Sequence, residues 1–453
     1  MNKQAIVIRY IRENYIDFGR IRHDVVSDKL QVRVALQNAP KGLPFRGDRQ
    51  EAKGTEYWRE MTRQDINSIV CQCAQEYDAN ISYREVITAL QSDLIPDVHP
   101  LREYVLSQYP WTEEQPDWID MVAQQVHVKP SGDRAPQNAT SVFGDPAEAK
   151  GDKARGEELW RGCFKKWFVA MVASWMKDEV VNHQVLVLIG KQGIYKTTWL
   201  EHLIPPELRS YCCKMSNMSD MNKDERLRIA EFGMINMDEI DALNSRELNQ
   251  LKSLITTSDV NERAPYAYSK ERRIRLASFC ASGNRRDFLT DITGNRRWLP
   301  FEVESIQNPF FTTLPYGLMY AQAWALAQDP RFSYWFELDE IEVLEQHNDY
   351  FRDESNEEQL LMVYFAIPAE GSANAKFLTT AEISEKLVSV GNIKRPMSLN
   401  KLGSVLHRQG FIADRKGTPA RRGWIVYERD SEDINAERKQ LAQTKIANIA
   451  DIY

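Results

Sequence analysis

The strongest pattern of hydrophobic positions lies in the middle of the chain. Residues 157–175 repeat large apolar side chains, many of them aromatic, at helical spacing, which predicts a helix packed into a core. Residues 185–189 form a continuous run of Val, Leu and Ile, as expected for a buried parallel strand. Apolar runs at 232–237 and 275–281 predict two further strands. Strands that alternate with helical segments indicate the α/β fold class.

The amino-terminal side of the chain has shorter, mixed patterns. Residues 6–15 are amphipathic, residues 21–36 look extended, and helices are predicted to begin near Thr62 and His99. Residues 1–128 are therefore predicted to be a mixed, mostly helical region. Their sequence shows no arrangement typical of a catalytic site.

The carboxyl-terminal pattern predicts a small separate domain. A capping-box signature at Thr379 precedes a predicted helix at 381–390, and a second helix is predicted at 398–408. Predicted strands at 410–413 and 424–427 flank a loop. Two helices followed by a β-hairpin are typical of a winged helix.

Basic residues are concentrated in this winged-helix-like segment. They are Lys394, Arg395, Lys401, Arg408, Arg415, Lys416, Arg421 and Arg422. Basic side chains on a second helix and a wing are suited to DNA phosphates. A winged helix that docks on another protein is the alternative.

Composition and charge narrow the class of protein. The chain has 453 residues with 43% hydrophobic and 27% charged residues, so two or three domains are expected in a soluble, cytoplasmic protein. No apolar run is long enough to cross a bilayer, and the amino terminus does not resemble a secretory signal. The six cysteines form no CxxC pair, which argues against a zinc site. A net charge of -7 still permits a local basic channel for nucleic acid.

A glycine loop follows the predicted strand at 185–189. Gly190 and Gly193 precede Lys196 and Thr197, and strand, glycine loop, Lys-Thr and helix form the context of a phosphate-binding P-loop. In such a loop the lysine contacts the β- and γ-phosphates and the threonine coordinates Mg²⁺. The predicted ATP-binding residues are Gly190, Gln192, Gly193, Ile194, Tyr195, Lys196, Thr197 and Thr198. Tyr195 stands where the usual pattern has a glycine, a residue suited to unusual backbone angles.

Two other predicted strands end in polar residues. Asp238 and Glu239 follow the strand at 232–237; Asp238 is predicted to hold Mg²⁺ and Glu239 to polarise the attacking water. Asn284, after the strand at 275–281, is predicted to contact the γ-phosphate or the water. A turn-forming Asn is the alternative. ATP and Mg²⁺ are therefore the predicted cofactors.

Two adjacent arginines lie further along the chain. Arg296 and Arg297 precede Trp298 and are predicted to supply an arginine finger to the ATP of a neighbouring subunit. A structural ion pair is the alternative for these two side chains.

Four ordered segments between residues 185 and 303 resemble the ATPase domain of the virulence-associated protein E family, which is related to superfamily 3 helicases. They are GKQGIYKTTWL, NKDERLRIAEFGMINMDEIDAL, LKSLITTSDVNERAPYAYSKERRIRLASF and SGNRRDFLTDITGNRRWLPFEV. The resemblance implies an AAA+-like P-loop NTPase core that assembles as a hexameric ring.

The resemblance also implies a DNA-facing hairpin that interleaves basic and aromatic residues. Its residues are Arg263, Tyr266, Lys270, Arg272 and Arg273. Such mixtures stack bases and follow phosphates, although a solvated basic hairpin has the same composition.

These patterns divide the chain into six segments. Residues 129–155 are rich in Pro, Gly, Ser, Asp and Lys, which predicts a linker or a long surface loop. The predicted segments are 1–128 for the amino-terminal region, 129–155 for the linker, 156–335 for the P-loop ATPase domain, 336–376 for a helical connector, 377–430 for the winged-helix-like domain and 431–453 for a helical tail.

Two functions fit the sequence. The first is an ATP-dependent DNA motor, a homo-hexameric helicase on single-stranded or forked DNA that replicates a phage, plasmid or integrated element. The second is a nucleotide-gated DNA-binding switch in regulation or defence, with little or no unwinding. Tyr195 favours the switch. The motor is favoured by the intact Lys196, Asp238, Glu239, Asn284, Arg296 and Arg297.

Overall fold

The computed structural model describes most of the chain. The described residues are 2–35, 56–130, 152–215, 223–262, 271–289, 295–352, 356–368, 375–391, 393, 396–416 and 421–439. Most of the predicted linker and several predicted DNA-binding positions lie outside these ranges, namely 131–151, Arg263, Tyr266, Lys270, Lys394 and Arg395. Among the described residues, no helix has the length and apolar character needed to span a membrane.

The amino-terminal elements build a four-stranded sheet against helices. In chain order they are α1 (Lys3–Ile11) with a π-helical extension (Arg12–Ile16), β1 (Ile21–Asp24), β2 (Lys29–Ala35), β3 (Glu56–Glu60), α2 (Arg63–Tyr77), α3 (Tyr83–Leu90) and β4 (Asp97–Val98). The sheet order is β3-β2-β1-β4. Thr62 caps α2 through a capping box with Asp65, so the helix start predicted near Thr62 is confirmed.

The stretch predicted as one extended segment, residues 21–36, is a hairpin. β1 and β2 pair antiparallel, with Ile21 opposite Val32. Asp28 ends the turn between them with φ 56°, a left-handed conformation that Asp tolerates better than most residues. Alternation of apolar residues alone did not reveal this turn.

The following elements surround a central six-stranded sheet. They are α4 (Pro100–Leu106), α5 (Trp118–Ala123), β5 (Val126–Val128), α6 (Asp152–Met176), β6 (Val185–Ile189), α7 (Lys196–His202), β7 (Cys212–Met215), α8 (Lys223–Glu231), β8 (Met234–Met237), α9 (Ser245–Thr256), β9 (Asp259–Glu262), β10 (Glu271–Ile274), β11 (Ser278–Gly283), β12 (Trp298–Ile306), α10 (Tyr316–Gln328) and α11 (Leu338–Asn348). The sheet order is β5-β12-β6-β11-β8-β7.

Five strands of the central sheet are parallel. β6 pairs with β11 and β12, and β8 pairs with β11 and β7, all in parallel. Counted along the chain, the order of these five strands is 5-1-4-3-2. Only β5 at one edge runs antiparallel, against β12. All five residues of β6 are buried, as the continuous apolar run predicted.

Helix α6 fills the core on one face of this sheet. Trp160, Trp167 and Trp175 are fully buried, which confirms that the aromatic pattern at 157–175 is core packing. Each indole N–H donates to a backbone carbonyl at 2.9–3.1 Å, of Ala123, Phe279 and Gly233 respectively. Large apolar rings with satisfied N–H groups can therefore be buried without leaving an unpaired donor.

Part of the predicted amino-terminal region belongs to the central core. Leu101 of α4, Ile119 of α5 and Val126 of β5 lie in the same buried cluster as Trp160 and Leu186. Helix α4 begins after His99, as predicted. Residues 100–128 thus pack with the central sheet, whereas the division of the chain into domains stays a prediction.

The last described unit combines helices with a small sheet. Its elements are α12 (Asn356–Tyr364), β13 (Phe365–Ala366), β14 (Ala375–Leu378), α13 (Thr380–Gly391), α14 (Leu399–Arg408), β15 (Ile412–Lys416) and β16 (Arg421–Glu428). Its own buried cluster includes Ile383, Leu402 and Trp424. The predicted capping box is present, because the Thr379 N–H donates to Glu382 at 2.7 Å and the Glu382 N–H donates to Thr379 at 3.3 Å.

Candidate functional site

The carboxyl ends of the central strands bring three predicted positions together. In register, Gly283 of β11 lies opposite Ile189 of β6, and Ala281 lies opposite Met237 of β8. Gly190, Asp238 and Asn284 follow these strand ends and therefore share one edge of the sheet. Ligands of open α/β sheets bind at this edge.

The loop between β6 and α7 keeps its backbone N–H groups available. Gly190 has φ 157°, and a Cβ there would lie 2.9 Å from the Val303 carbonyl oxygen, so only glycine fits without displacement. Gln192 and Gly193 form a turn, and no N–H group of residues 191–195 donates to a described residue at ordinary hydrogen-bond distance and angle. A run of free N–H groups before a helix is a suitable cradle for phosphate oxygens.

Lys196 is a buried cation at the centre of this loop. It is only 7% exposed, and its ammonium donates to the carbonyls of Gly190 (2.7 Å) and Lys191 (2.6 Å) and to Asn284 Oδ1 (3.4 Å). Burial lowers the pKa of Lys196 below its ordinary value, and Asp241 and Asp238 oppose that shift. A buried ammonium held mainly by neutral carbonyls favours an anionic ligand.

Three oxygen-bearing side chains converge beside Lys196. The Thr197 hydroxyl donates to Asp238 Oδ1 at 3.2 Å, and Ser282 Oγ lies 2.7 Å from the same oxygen and 2.9 Å from Thr197 Oγ1. Burial raises the pKa of Asp238, but the Ser282 hydrogen bond and the Lys214 ammonium outweigh it, and the pKa lies below its ordinary value. The carboxyl is therefore ionised at neutral pH.

This oxygen cluster fits Mg²⁺. Hydroxyl and carboxylate oxygens are the ligands that Mg²⁺ prefers, and the ion usually takes one or two carboxylates with waters and phosphate oxygens. Thr197 and Asp238 would hold it. Among the described residues, no group of three or more His, Cys, Asp and Glu side chains forms an all-protein metal site.

Glu239 lies at the open side of the same edge. It is exposed and adopts φ 55°. Together with Tyr195 (φ 68°), it accounts for two of the four non-glycine residues with positive φ among those described. Such conformations cost on the order of 1–3 kcal/mol each and cluster at functional sites.

Three side chains of the site were not predicted from the sequence. Ser282 bridges Asp238 and Thr197, Asp241 accepts the backbone N–H groups of Asn284 (3.2 Å) and Arg285 (3.1 Å), and Lys214 lies 3.5 Å from Asp238. Ser282 stands two residues before Asn284 and could have been found from its position on the strand. The other two depend on which strands are neighbours.

The remaining loop residues have different surroundings. Gln192 is exposed and Thr198 is half-buried. Ile194 packs against the core around α6, and its Cδ1 would lie 3.1 Å from a Cβ at Gly190. Ile194 therefore anchors the loop, while Gln192 faces solvent.

Arg296 and Arg297 lie at the opposite edge of the sheet. Trp298 pairs with Val185 at the amino end of β6, so both arginines are separated from Lys196 by the length of that strand. Arg296 is exposed and Arg297 half-buried, and neither forms an ion pair with a described residue. The Gln184 side-chain amide, with its nitrogen toward them, donates to the carbonyls of Arg296 (2.7 Å) and Arg297 (3.2 Å).

The described part of the predicted DNA-facing hairpin, β9 and β10, is largely ion-paired. Arg272 contacts Asp259 at 2.9 Å. Arg273 contacts Asp28 of the amino-terminal hairpin at 2.7 Å and Glu231 at 3.7 Å. Arg273 thus holds two units of the chain together, and Arg272 is exposed beside it.

The carboxyl-terminal hairpin places four cations on adjacent rungs. Arg415 pairs with Arg422, and Lys416 with Arg421, in β15 and β16. The strands extend into the segment predicted as a loop at 414–423, so these residues occupy strands. Like charges directly opposite are unfavourable. All four are exposed, as is Lys401 on α14; Arg408 ends that helix.

The solved structures to which this chain is similar superpose on it with low TM-scores. The chain is similar to the apo structure of the NrS-1 C-terminal region (305–718), with 10% identity, a TM-score of 0.39 and coverage of 95% of this chain and 100% of that one. The A-form apo structure of the same region has 9% identity and a TM-score of 0.41 over 93% of this chain and 99% of that one. No curated protein sequence matches.

The family comparison concerns the middle of the chain. The model described as the virulence-associated protein E-like domain matches residues 150–353. This range contains the loop after β6, Asp238, Ser282, Asn284 and the two arginines before β12. The sequence resemblance is therefore confirmed over residues 150–353, which match the virulence-associated protein E-like domain.

Proposed function

We propose that the central domain binds and hydrolyses ATP with Mg²⁺, and that the chain is a DNA motor, a helicase of a replicating mobile element. The observation that carries this proposal is the buried Lys196 ammonium beneath a loop of unpaired N–H groups. The strand order 5-1-4-3-2 supports it, because β6 lies between β11 and β12 and its carboxyl end opens into the crevice where such folds bind ligands.

Each side chain at this edge has a separate task in the proposed mechanism. Bound Mg²⁺ and ATP supply an electrophilic γ-phosphorus. Lys196 offsets the negative charge of the phosphates, while Thr197 and Asp238 would hold the Mg²⁺ ion. Glu239 accepts a proton from the attacking water, whose oxygen bonds to the γ-phosphorus as the bond to ADP breaks. Asn284, 3.4 Å from the Lys196 ammonium, orients that water or the γ-phosphate.

The DNA part of the proposal rests on the carboxyl-terminal hairpin. The Arg415–Arg422 and Lys416–Arg421 rungs place two cations side by side on each face of the hairpin, and polyanions relieve such repulsion. Helix α13, helix α14 and this hairpin have the order of a winged helix.

Replacement of Lys196 by Ala tests the ATP proposal. We expect Lys196→Ala to lose detectable MgATP hydrolysis and to weaken nucleotide binding, because no other described cation is buried in the loop. Calorimetric titration and phosphate release measure both quantities. Lys191→Ala is the matched control: it removes an exposed lysine of the same loop but keeps the carbonyl that Lys196 contacts. Unchanged turnover in Lys196→Ala would exclude the site.

The second candidate, a nucleotide-gated DNA-binding switch, is favoured by the conformation of Tyr195. Its φ of 68° adds strain to the loop where the usual pattern has glycine, which suits a protein that binds ATP and turns it over slowly. Strand separation and ATP turnover, measured together with and without single-stranded DNA, distinguish the two. Nucleotide-dependent DNA binding without unwinding would establish the switch.

A further inference from the structure

Tyr195 supports an exposed aromatic surface next to the phosphate loop. Its ring is 37% exposed and meets the Phe310 ring edge-on, with centroids 6.4 Å apart and an angle of 81°. Phe310 is 69% exposed and also meets the His202 ring edge-on at 5.7 Å. Contiguous exposed apolar surface can mark a ligand-binding site.

The surrounding loop fixes this surface in place. The Asn308 side-chain amide donates to the Tyr195 hydroxyl at 3.3 Å, and its oxygen accepts the Phe310 N–H at 3.0 Å. The Tyr316 hydroxyl donates to the His202 carbonyl at 2.7 Å, which ties the segment after β12 to α7. Tyr195 and Phe310 are therefore positioned before any ligand arrives.

The backbone conformation at position 195 would suit a glycine better than the tyrosine that is present. Tyr195 adopts φ 68°, a left-handed conformation that is less favourable for a non-glycine residue than for glycine. The chain therefore keeps an unfavourable backbone conformation in the residue immediately before Lys196. A side chain that stabilises the bound ligand would offset it.

We propose that Tyr195 and Phe310 form a stacking platform for the nucleobase of the nucleotide whose phosphates Lys196 holds. This inference rests on the proposed function. It adds a subsite through which the protein would distinguish a nucleotide from a polyphosphate that has no base. The two aromatic rings would contact the flat face of the base. Stacking of a base on an aromatic ring contributes about 1–3 kcal/mol.

The test compares MgATP with magnesium tripolyphosphate, which carries the phosphates without a base. Calorimetry on the full chain should give Tyr195→Gly a loss of about 5- to 150-fold in MgATP affinity, the range that stacking of about 1–3 kcal/mol corresponds to. Its tripolyphosphate affinity should be unchanged or higher, since glycine relieves the strain. Tyr195→Phe should keep the wild-type ratio of the two affinities, and Phe310→Ala should lower it.

A matched control and a second readout complete the design. Phe311→Ala removes the neighbouring ring, which is 89% exposed, and should leave the ratio unchanged. Fluorescence of 2-aminopurine riboside triphosphate should be quenched on binding to wild type and to Tyr195→Phe, but less by Tyr195→Gly.

The outcomes separate this inference from the proposed function. If wild type binds neither ligand, the ATP proposal fails and the platform with it. If wild type binds tripolyphosphate as tightly as ATP, or if Tyr195→Gly changes both affinities equally, the phosphate site stands and the platform is wrong. Loss of self-association or of DNA binding in Phe310→Ala, with an unchanged ratio, would assign the rings to a macromolecular contact instead.

Discussion

The two edges of the central sheet differ in how far their polar side chains are paired with one another. At the carboxyl edge, Thr197, Asp238 and Ser282 are linked by hydrogen bonds into one cluster, and Lys196 beside them donates to Asn284. At the amino edge, Arg296 and Arg297 have no ion-pair partner among the described residues, and only their backbone is held, through Gln184. One edge is an assembled site, and the other presents two arginines with no ion-pair partner in the described part of the chain.

The separation of the edges decides what the arginines can do. β6 has five residues, and at about 3.3 Å per residue the edges lie roughly 16 Å apart. An arginine side chain at one edge does not reach a phosphate at the other. A role for Arg296 or Arg297 in catalysis therefore needs the carboxyl edge of a second copy of the chain.

The strongest test of this comparison removes the arginines. Arg296→Ala/Arg297→Ala should lower ATP turnover by about 10³–10⁵-fold, as loss of an arginine finger does in other P-loop enzymes. Mixing this variant with Lys196→Ala should restore part of the turnover, because mixed assemblies contain interfaces with one intact loop and one intact arginine pair. Phosphate release reports the activity.

Differently tagged subunits show whether the two variants exchange in that mixture. Exchange without recovered turnover would assign the arginines to a structural role in their own subunit. A chain that stays monomeric with ATP and DNA would remove the ring and favour the nucleotide-gated switch.

Glu239→Gln separates chemistry from binding at the carboxyl edge. Turnover should fall by about 10²–10⁴-fold, the usual contribution of a general base, while MgATP affinity should remain within a few-fold of wild type because Lys196 and Asp238 are intact. Asp238→Asn is the contrast, since it should weaken the dependence of binding on Mg²⁺. Normal hydrolysis by Glu239→Gln would show that another residue activates the water.

Ser282→Ala sharpens the description of the metal side. Loss of the hydroxyl 2.7 Å from the ionised Asp238 removes about 1.5–3 kcal/mol of hydrogen bonding, so the Mg²⁺ concentration for half-maximal ATP binding should rise by about 13- to 160-fold. Saturating Mg²⁺ should recover the binding. A defect that persists at saturation would point to a change in the fold of the edge.

The smallest expected effect concerns the carboxyl-terminal hairpin, and it tests whether DNA binds there, away from both edges of the central sheet. Arg415→Gln/Arg422→Gln should reduce the slope of log affinity against log salt by roughly 0.7–0.9 for each phosphate that the hairpin no longer neutralises and leave turnover without DNA unchanged. Arg12→Gln/Arg63→Gln removes the same charge from the amino-terminal unit and is the control. Equal slopes for the two variants would make the hairpin a protein-docking surface.

Local sequence patterns were sufficient for many elements and for the principal residues of the candidate site. A continuous apolar run predicted β6, aromatic residues at helical spacing predicted α6, and the capping boxes at Thr62 and Thr379 marked helix starts. Lys196, Asp238 and Asn284 could be grouped because polar residues that follow parallel strands share an edge.

Tertiary structure alone decided which of these residues meet. Strand order placed Ser282 against Asp238 and put Arg296 at the far edge, and pairing register set Arg415 opposite Arg422. Tertiary packing also brought Arg273 into contact with Asp28, which lies 245 positions away in the chain. Periodicity reports only neighbours within one element, whereas these contacts depend on the packing of elements distant in sequence, and for that reason they could not be predicted from it.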